Sequence, residues 1–334
     1  MSAINSILFS LAAVIALVLV AMLGVGALDL RFLFGIIIPY VGVAIFFIGV
    51  VYRVVKWARS PVPFRIPTTC GQLKSLPWIK TNPIDNPSTT LGVIVRMAFE
   101  VLTFRSLFRN TKLELREGPK LDYASAKWLW LAALAFHWSF LIIFLRHLRF
   151  FTEPVPLFIH MTERLDAFLE VGLPGILITD GIILLAITYL FLRRVVIPQL
   201  RYISLPADYF PLFLILGLVI SGILMRYFIR VDIASVKQLT MGLASFSPKV
   251  PEGIGAIFFI HIFLLSVLFA YFPFSKLMHL AGVFLSPTRN LTSNSRERRH
   301  INPWNYPVKV HTYDEYEEEF RDKMIEAGLP VEKE

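Results

Sequence analysis

Long apolar runs alternate with shorter polar stretches along this chain. A run of about 20 apolar residues rises about 30 Å as a helix, enough to cross the hydrocarbon of a bilayer. The pattern predicts six spans: Ile4 to Leu28, Phe32 to Tyr52, Ala124 to Arg146, Pro174 to Leu192, Tyr209 to Tyr227 and Ile254 to Leu280. Between the second and third lies a long polar insert, and after the sixth a polar tail. The expected fold is therefore an all-α polytopic membrane protein. Its predicted parts are an N-terminal hairpin over 1–57, an insert over 58–122, a four-helix unit over 123–285 and a tail over 286–334.

The insert is patterned. Pro61, Pro63, Pro67, Pro77, Pro83 and Pro87 make its first half irregular, because each proline fixes φ and removes a donor. Asp85-Asn86-Pro87-Ser88 then offers a helix start. From Leu91 to Phe108 the charges Arg96, Glu100, Arg105 and Arg109 recur every four or five residues against an apolar remainder. That amphipathic helix is expected along the membrane surface or packed beneath the bundle. The tail carries an acidic cluster, Asp314 to Glu319, suited to docking.

Composition agrees with the pattern, since 56% of the 334 residues are hydrophobic and only 17% charged. Soluble chains carry roughly 25% charged residues. The net charge of +9 does not indicate nucleic acid here. Basic residues gather in the insert, in the Arg193–Arg201 loop and in the tail, which by the positive-inside rule places both termini in the cytoplasm. The first span lacks a basic leader and a clear cleavage site, and is expected to be retained. A single cysteine, Cys70, excludes an intramolecular disulfide and a self-contained iron–sulfur cluster, and no C-x-x-C-H is present for covalent haem.

Seven histidines occur, and four of them fall in two apolar spans: His137 and His147 in the third, His261 and His279 in the sixth. An imidazole inside a bilayer needs a partner, and neutral imidazole is a natural axial ligand of haem iron. The two spans run in opposite directions, so His147 should meet His261 and His137 should meet His279. The spacing leaves a mismatch: 18 residues make five turns and one face, whereas ten leave His137 and His147 about 80° apart. Tilt, or a kink at Pro273, would have to absorb it. His160, His300 and His311 are expected at the surface, in solvent or at an interface. Asp180 is a lone carboxylate in an apolar run, expected to face the bundle.

The histidine spacings resemble those of the di-haem cytochrome b of the respiratory nitrate reductase gamma-subunit type, over about Tyr123 to Leu285. Three insert motifs are similar to the DsrM branch, the cytochrome b subunit of the membrane complex linked to dissimilatory sulfite reduction. They are Ile66-Pro67-Thr68-Thr69-Cys70-Gly71-Gln72, Ile84-Asp85-Asn86-Pro87, and Phe104-Arg105-Ser106-Leu107-Phe108-Arg109-Asn110-Thr111. The resemblance implies two haem b groups with His137, His147, His261 and His279 as ligands. It implies menaquinone as exchangeable redox partner and a cytoplasmic iron–sulfur subunit resembling heterodisulfide reductase, alongside other membrane or exported redox subunits. Arg146, Arg149, Arg226 and Arg230, all near the outer pair, are candidates for haem propionate or quinone contacts, and Lys276 is a similar candidate near His279. No acid–base catalytic residue is implied. Two other readings fit the residues: the gamma subunit of a nitrate-reductase-like or other quinone-linked complex, and a haem-free transporter or scaffold.

Overall fold

The computed structural model describes residues 3–60, 74, 78–118, 120–167, 176–294 and 310–332. The motif around Cys70, the flanking prolines 61, 63, 67 and 77, and His300 lie outside these residues. Helices α1 (Ala3–Gly26) and α2 (Ile38–Ala58) form the N-terminal hairpin, α2 being entered through a π-helical turn at Leu33–Ile37. The insert supplies α3 (Thr90–Thr103), the single turn α4 (Arg105–Phe108) and the hairpin β1 (Thr111–Arg116) and β2 (Lys120–Ser125). Then come α5 (Lys127–His147), α6 (Leu157–Asp166), α7 (Ile178–Val196), α8 (Pro198–Ile203), α9 (Pro206–Ile223) and α10 (Ile233–Ala244). Last are α11 (Ala256–Tyr271), α12 (His279–Leu285), the short α13 (Pro287–Asn290) and the tail helix α14 (Tyr313–Glu326).

The membrane part is helical, as expected. Among the described residues five helical stretches are long and apolar enough to cross a bilayer: Ala3–Gly26, Leu33–Ala58, Lys127–Phe150, Pro206–Phe228 and Ala256–Phe274. The remaining expected span corresponds to α7, which carries Asp180 in its first turn and Arg193 and Arg194 in its last. The small antiparallel hairpin was not expected. Its register pairs Thr111 with Ser125 and Arg116 with Lys120, and it turns at Gly118, whose φ of 84° suits glycine.

Two cores hold the bundle. In one, Ala21, Phe34, Leu239 and Phe259 join α1, the entry to α2, α10 and α11. In the other, Val14, Ile187, Leu214 and Leu264 join α1, α7, α9 and α11. The seam between α2 and α11 runs on small residues. A Cβ on Gly42 would lie 2.8 Å from the Ser266 carbonyl oxygen, and one on Gly49 would lie 2.6 Å from the Pro273 ring. Such close backbone approach is how helices associate where lipid removes the hydrophobic drive. Large side chains such as Phe47 and Ile48 point outward from the bundle, as lipid-facing residues do.

Candidate functional site

Helix α5 carries both histidines of the third span. Their ten-residue separation corresponds to about 15 Å along the axis. The facing histidines do not share one helix. α11 ends at Tyr271, the chain passes through short 3-10 turns at Phe272–Phe274 and Lys276–Met278, and α12 starts at His279. Pro273, lacking a donor, sits in the first of these turns. The 18-residue spacing is thus interrupted, which frees His279 from the face of His261 and removes the mismatch expected for a continuous helix.

Both expected pairings are found as contacts. The rings of His147 and His261 are parallel, with centroids 6.3 Å apart and planes 9° apart. Those of His137 and His279 lie 5.9 Å apart with planes crossed at 80°. In each ring Nδ1 has a partner. His137 reaches the Ala133 carbonyl at 2.7 Å, His147 the Ile143 carbonyl at 2.7 Å and His279 the Lys276 carbonyl at 2.9 Å. His261 meets the Ser221 hydroxyl at 2.8 Å. A carbonyl can only accept, so Nδ1 carries the proton and Nε2 keeps its lone pair.

This arrangement fits two ligands on one metal. With a metal–nitrogen bond of about 2.0–2.1 Å and about 1.1 Å from nitrogen to ring centre, two opposed rings sit about 6.3 Å apart. Anchoring of the second nitrogen by carbonyl or hydroxyl is the support that metal-binding histidines use. Among the described residues no group of three or more His, Cys, Asp or Glu side chains surrounds a point. A metal held by either pair would take its remaining ligands from groups other than these side chains. Aromatic rings border the pairs: Phe104 and Phe136 lie at 5.0 and 5.2 Å from His137, and Phe150 at 5.9 Å from His147. Beside His261, Gly222 leaves Cε1 at only van der Waals distance, 3.6 Å, from where a Cβ would be.

Next to His147, Arg146 turns into the protein. Its guanidinium bonds Asp180 Oδ1 at 3.0 Å and pairs closely with Asp166. Asp166 also accepts from the Thr179 amide at 2.8 Å and hydroxyl at 2.6 Å, and Tyr227 donates to Asp180 Oδ2 at 2.8 Å. The Tyr227 oxygen in turn accepts from the Leu177 amide at 3.0 Å. Arg146, Asp166 and Asp180 are all buried. Asp180 thus faces the bundle as expected, while the guanidinium expected at a propionate is committed to two carboxylates. Asp166, Thr179, Tyr227 and Ser221 were not anticipated. The available signal was Asp180 itself, whose burial demanded a cation.

The other basic candidates lie nearer the surface. Arg149 bonds Glu163 at 2.8 Å and stacks over Phe150. Arg226 stacks over Tyr227, and Arg230 is exposed beyond the end of α9. Lys276 bonds Asp208 at 2.6 Å, with Arg194 3.8 Å from the same carboxylate. His160 is half exposed near Glu163, and His311 pairs with Glu319 at 3.7 Å.

Comparison with known proteins places this geometry in context. A family profile described as nitrate reductase gamma subunit matches residues 119–296, a stretch that includes all four paired histidines. An "Hdr-like menaquinol oxidoreductase cytochrome b-like subunit" of Archaeoglobus fulgidus is 46% identical over 279 residues, covering 81% of this chain and 83% of the relative. A protein of the same description from Archaeoglobus profundus is 41% identical over 317 residues, covering 87% of this chain and 94% of the relative.

Proposed function

Because the chain belongs to the nitrate reductase gamma-subunit family, we propose that it is the membrane cytochrome b subunit of a quinone-linked respiratory complex, passing electrons between menaquinone and a cytoplasmic iron–sulfur partner through two b haems. The relatives are named Hdr-like menaquinol oxidoreductase cytochrome b-like subunits, which supports the quinone and the class of partner. The insert motifs retained among the described residues, Ile84 to Pro87 and Phe104 to Thr111, support a setting in sulfite respiration.

The observation that carries the reading is the pair of parallel rings, His147 and His261, at the spacing two imidazoles need to share one metal. In this reading His147 and His261 ligate the outer haem, and His137 and His279 the inner one. Bound haem supplies a one-electron couple at its iron. The chain's own part is to fix the rings through Ala133, Ile143, Lys276 and Ser221 and to surround them with apolar helix surface. Arg149, Arg226 and Arg230 are the proposed propionate or quinone contacts at the outer side. Arg146 braces α5 against α6 and α7 through Asp166 and Asp180. The basic flanks of α2 and α7 orient the inner pair, the insert and both termini toward the cytoplasm of the inner membrane.

The test is the haem-to-protein ratio of the purified chain, by pyridine haemochrome with a reduced-minus-oxidised spectrum. Two b haems per chain support the reading. A chain without haem overturns it and returns the histidines to proton transfer or packing.

A further inference from the structure

The four paired histidines are supported in two ways. His137 and His147 reach carbonyls one turn back on their own helix, Ala133 and Ile143, which the hydrogen-bond ladder of α5 already fixes. His261 and His279 are supported from outside their helices. His261 meets Ser221 on α9 at 2.8 Å, and the acceptor for Nδ1 of His279 is the Lys276 carbonyl at 2.9 Å. Lys276 belongs to no long helix. It opens the 3-10 turn Lys276–Met278 in the break between α11 and α12. So short a turn has few hydrogen bonds of its own and poorer geometry than an α-helix, so neighbours must hold it.

Helix α9 supplies the neighbour. Nζ of Lys276 bonds Asp208 Oδ1 at 2.6 Å, so the residue whose carbonyl holds His279 is itself tied by its side chain to the first turn of α9. Just before the break, the Tyr271 hydroxyl reaches the Ala207 carbonyl at 3.4 Å. Asp208 is anchored in turn, since its Oδ2 accepts from the Leu205 amide at 3.1 Å and Arg194 of α7 lies 3.8 Å from Oδ1. The carboxylate is 5% exposed and the lysine 75%. A pair of exposed ions contributes little, but a buried carboxylate that loses its cation is left with a charge away from water. Asp208 and Ser221 stand about 20 Å apart along α9.

We propose that Asp208 is the positioning residue for His279, acting through Lys276. At one end of α9 it does for His279 what Ser221 does for His261 further along the same helix. The Asp208–Lys276 pair fixes the carbonyl that orients the imidazole and keeps the proton on its Nδ1. This rests on the haem reading of the His137–His279 pair.

The test compares the two haems within one molecule, using the full chain purified in detergent. Asp208→Asn keeps an oxygen for the Leu205 amide and removes the charge that holds Lys276. Lys276→Met removes the other partner and leaves Asp208 with Arg194. Both variants should speed loss of the haem at His137–His279 to a scavenging apoglobin by about 10-fold, the low end for a residue that supports a metal-binding histidine. Both should change the EPR signal and potential of that haem in the same direction and leave the haem at His147–His261 as it was. Lys276→Arg should restore most of the loss, and the double variant should be no worse than the poorer single one. Potentials that move in opposite directions with haem retention unchanged would mean that the two groups act only as charges, which overturns the positioning role. Equal changes at both haems overturn it in favour of a role in the whole bundle. A wild-type chain with two haems, and variants that keep both unaltered, overturns this proposal alone. A wild-type chain without haem overturns it together with the cytochrome reading.

Discussion

Ser221 on α9 holds Nδ1 of His261 at 2.8 Å while its own hydroxyl donates to the Leu218 carbonyl at 3.0 Å. One hydroxyl has one hydrogen, so with that hydrogen on Leu218 the network assigns the Nδ1 proton to the imidazole. Nε2 is then the nitrogen with a free lone pair. Ser221→Ala removes that acceptor and leaves the His261 N–H only the Leu218 carbonyl. Supporting residues of this kind are worth roughly 10- to 100-fold in metal affinity. The expected result is weakened occupancy and a shifted potential for the haem proposed at the His147–His261 pair alone, read by redox titration. Equal shifts in both haems would mean that Ser221 acts on the whole bundle and does not position His261.

The two pairs differ in ring orientation, 9° against 80°. Parallel and crossed imidazole planes split the iron d orbitals differently, so two distinct low-spin ferric EPR signals are expected. His147→Ala or His261→Ala should remove one signal and leave the other, and His137→Ala or His279→Ala should do the reverse. Haem content should fall from two to one in each case. Loss of both signals in variants of either pair, in protein that remains folded, would argue against separate sites.

Much of this arrangement could be read from residues, because hydropathy marks spans and opposite direction along the membrane dictates which histidines meet. What hydropathy does not carry is rotation about a helix axis. Arg146 sits at the apparent edge of a span, and only the packing of α5 on α7 turns it inward to Asp166 and Asp180. The same limit applies to α3, where the spacing of Arg96 and Glu100 separates two faces without saying that the charged one turns inward. The break after Tyr271 was legible as Pro273, but two short turns that redirect the chain to His279 were not. The β-hairpin has a signal of its own in the sequence. Lys112-Leu113-Glu114-Leu115-Arg116 alternates polar and apolar residues ahead of Gly118.

The buried charges make a second set of variants informative. Arg146→Met leaves Asp166 and Asp180 without their shared cation, and loss of one partner from a buried ion pair costs about 3–5 kcal/mol. Asp180→Asn is milder, because the amide oxygen still accepts from Tyr227 and Arg146 keeps Asp166. Thermal unfolding in detergent should therefore rank Arg146→Met well below Asp180→Asn. Equal melting would show that the three groups do not act as one network.

The α2–α11 seam gives the sharpest steric prediction. A Cβ on Gly42 meets backbone, the Ser266 carbonyl oxygen at 2.8 Å and Cα at 3.1 Å, so no rotamer change relieves it. The helices must part, and overpacking of a tight interface costs roughly 1–3 kcal/mol. Since α11 carries His261 and leads to His279, parting them also loosens both histidine pairs. Gly42→Ala is expected to lower the melting temperature and reduce haem retention together. Gly26, at the end of α1, has nothing within 4 Å of its Cβ position, and Gly26→Ala should be neutral on both measures. If the two variants melt alike and keep haem alike, the close approach of α2 to α11 is not what holds α11 in place.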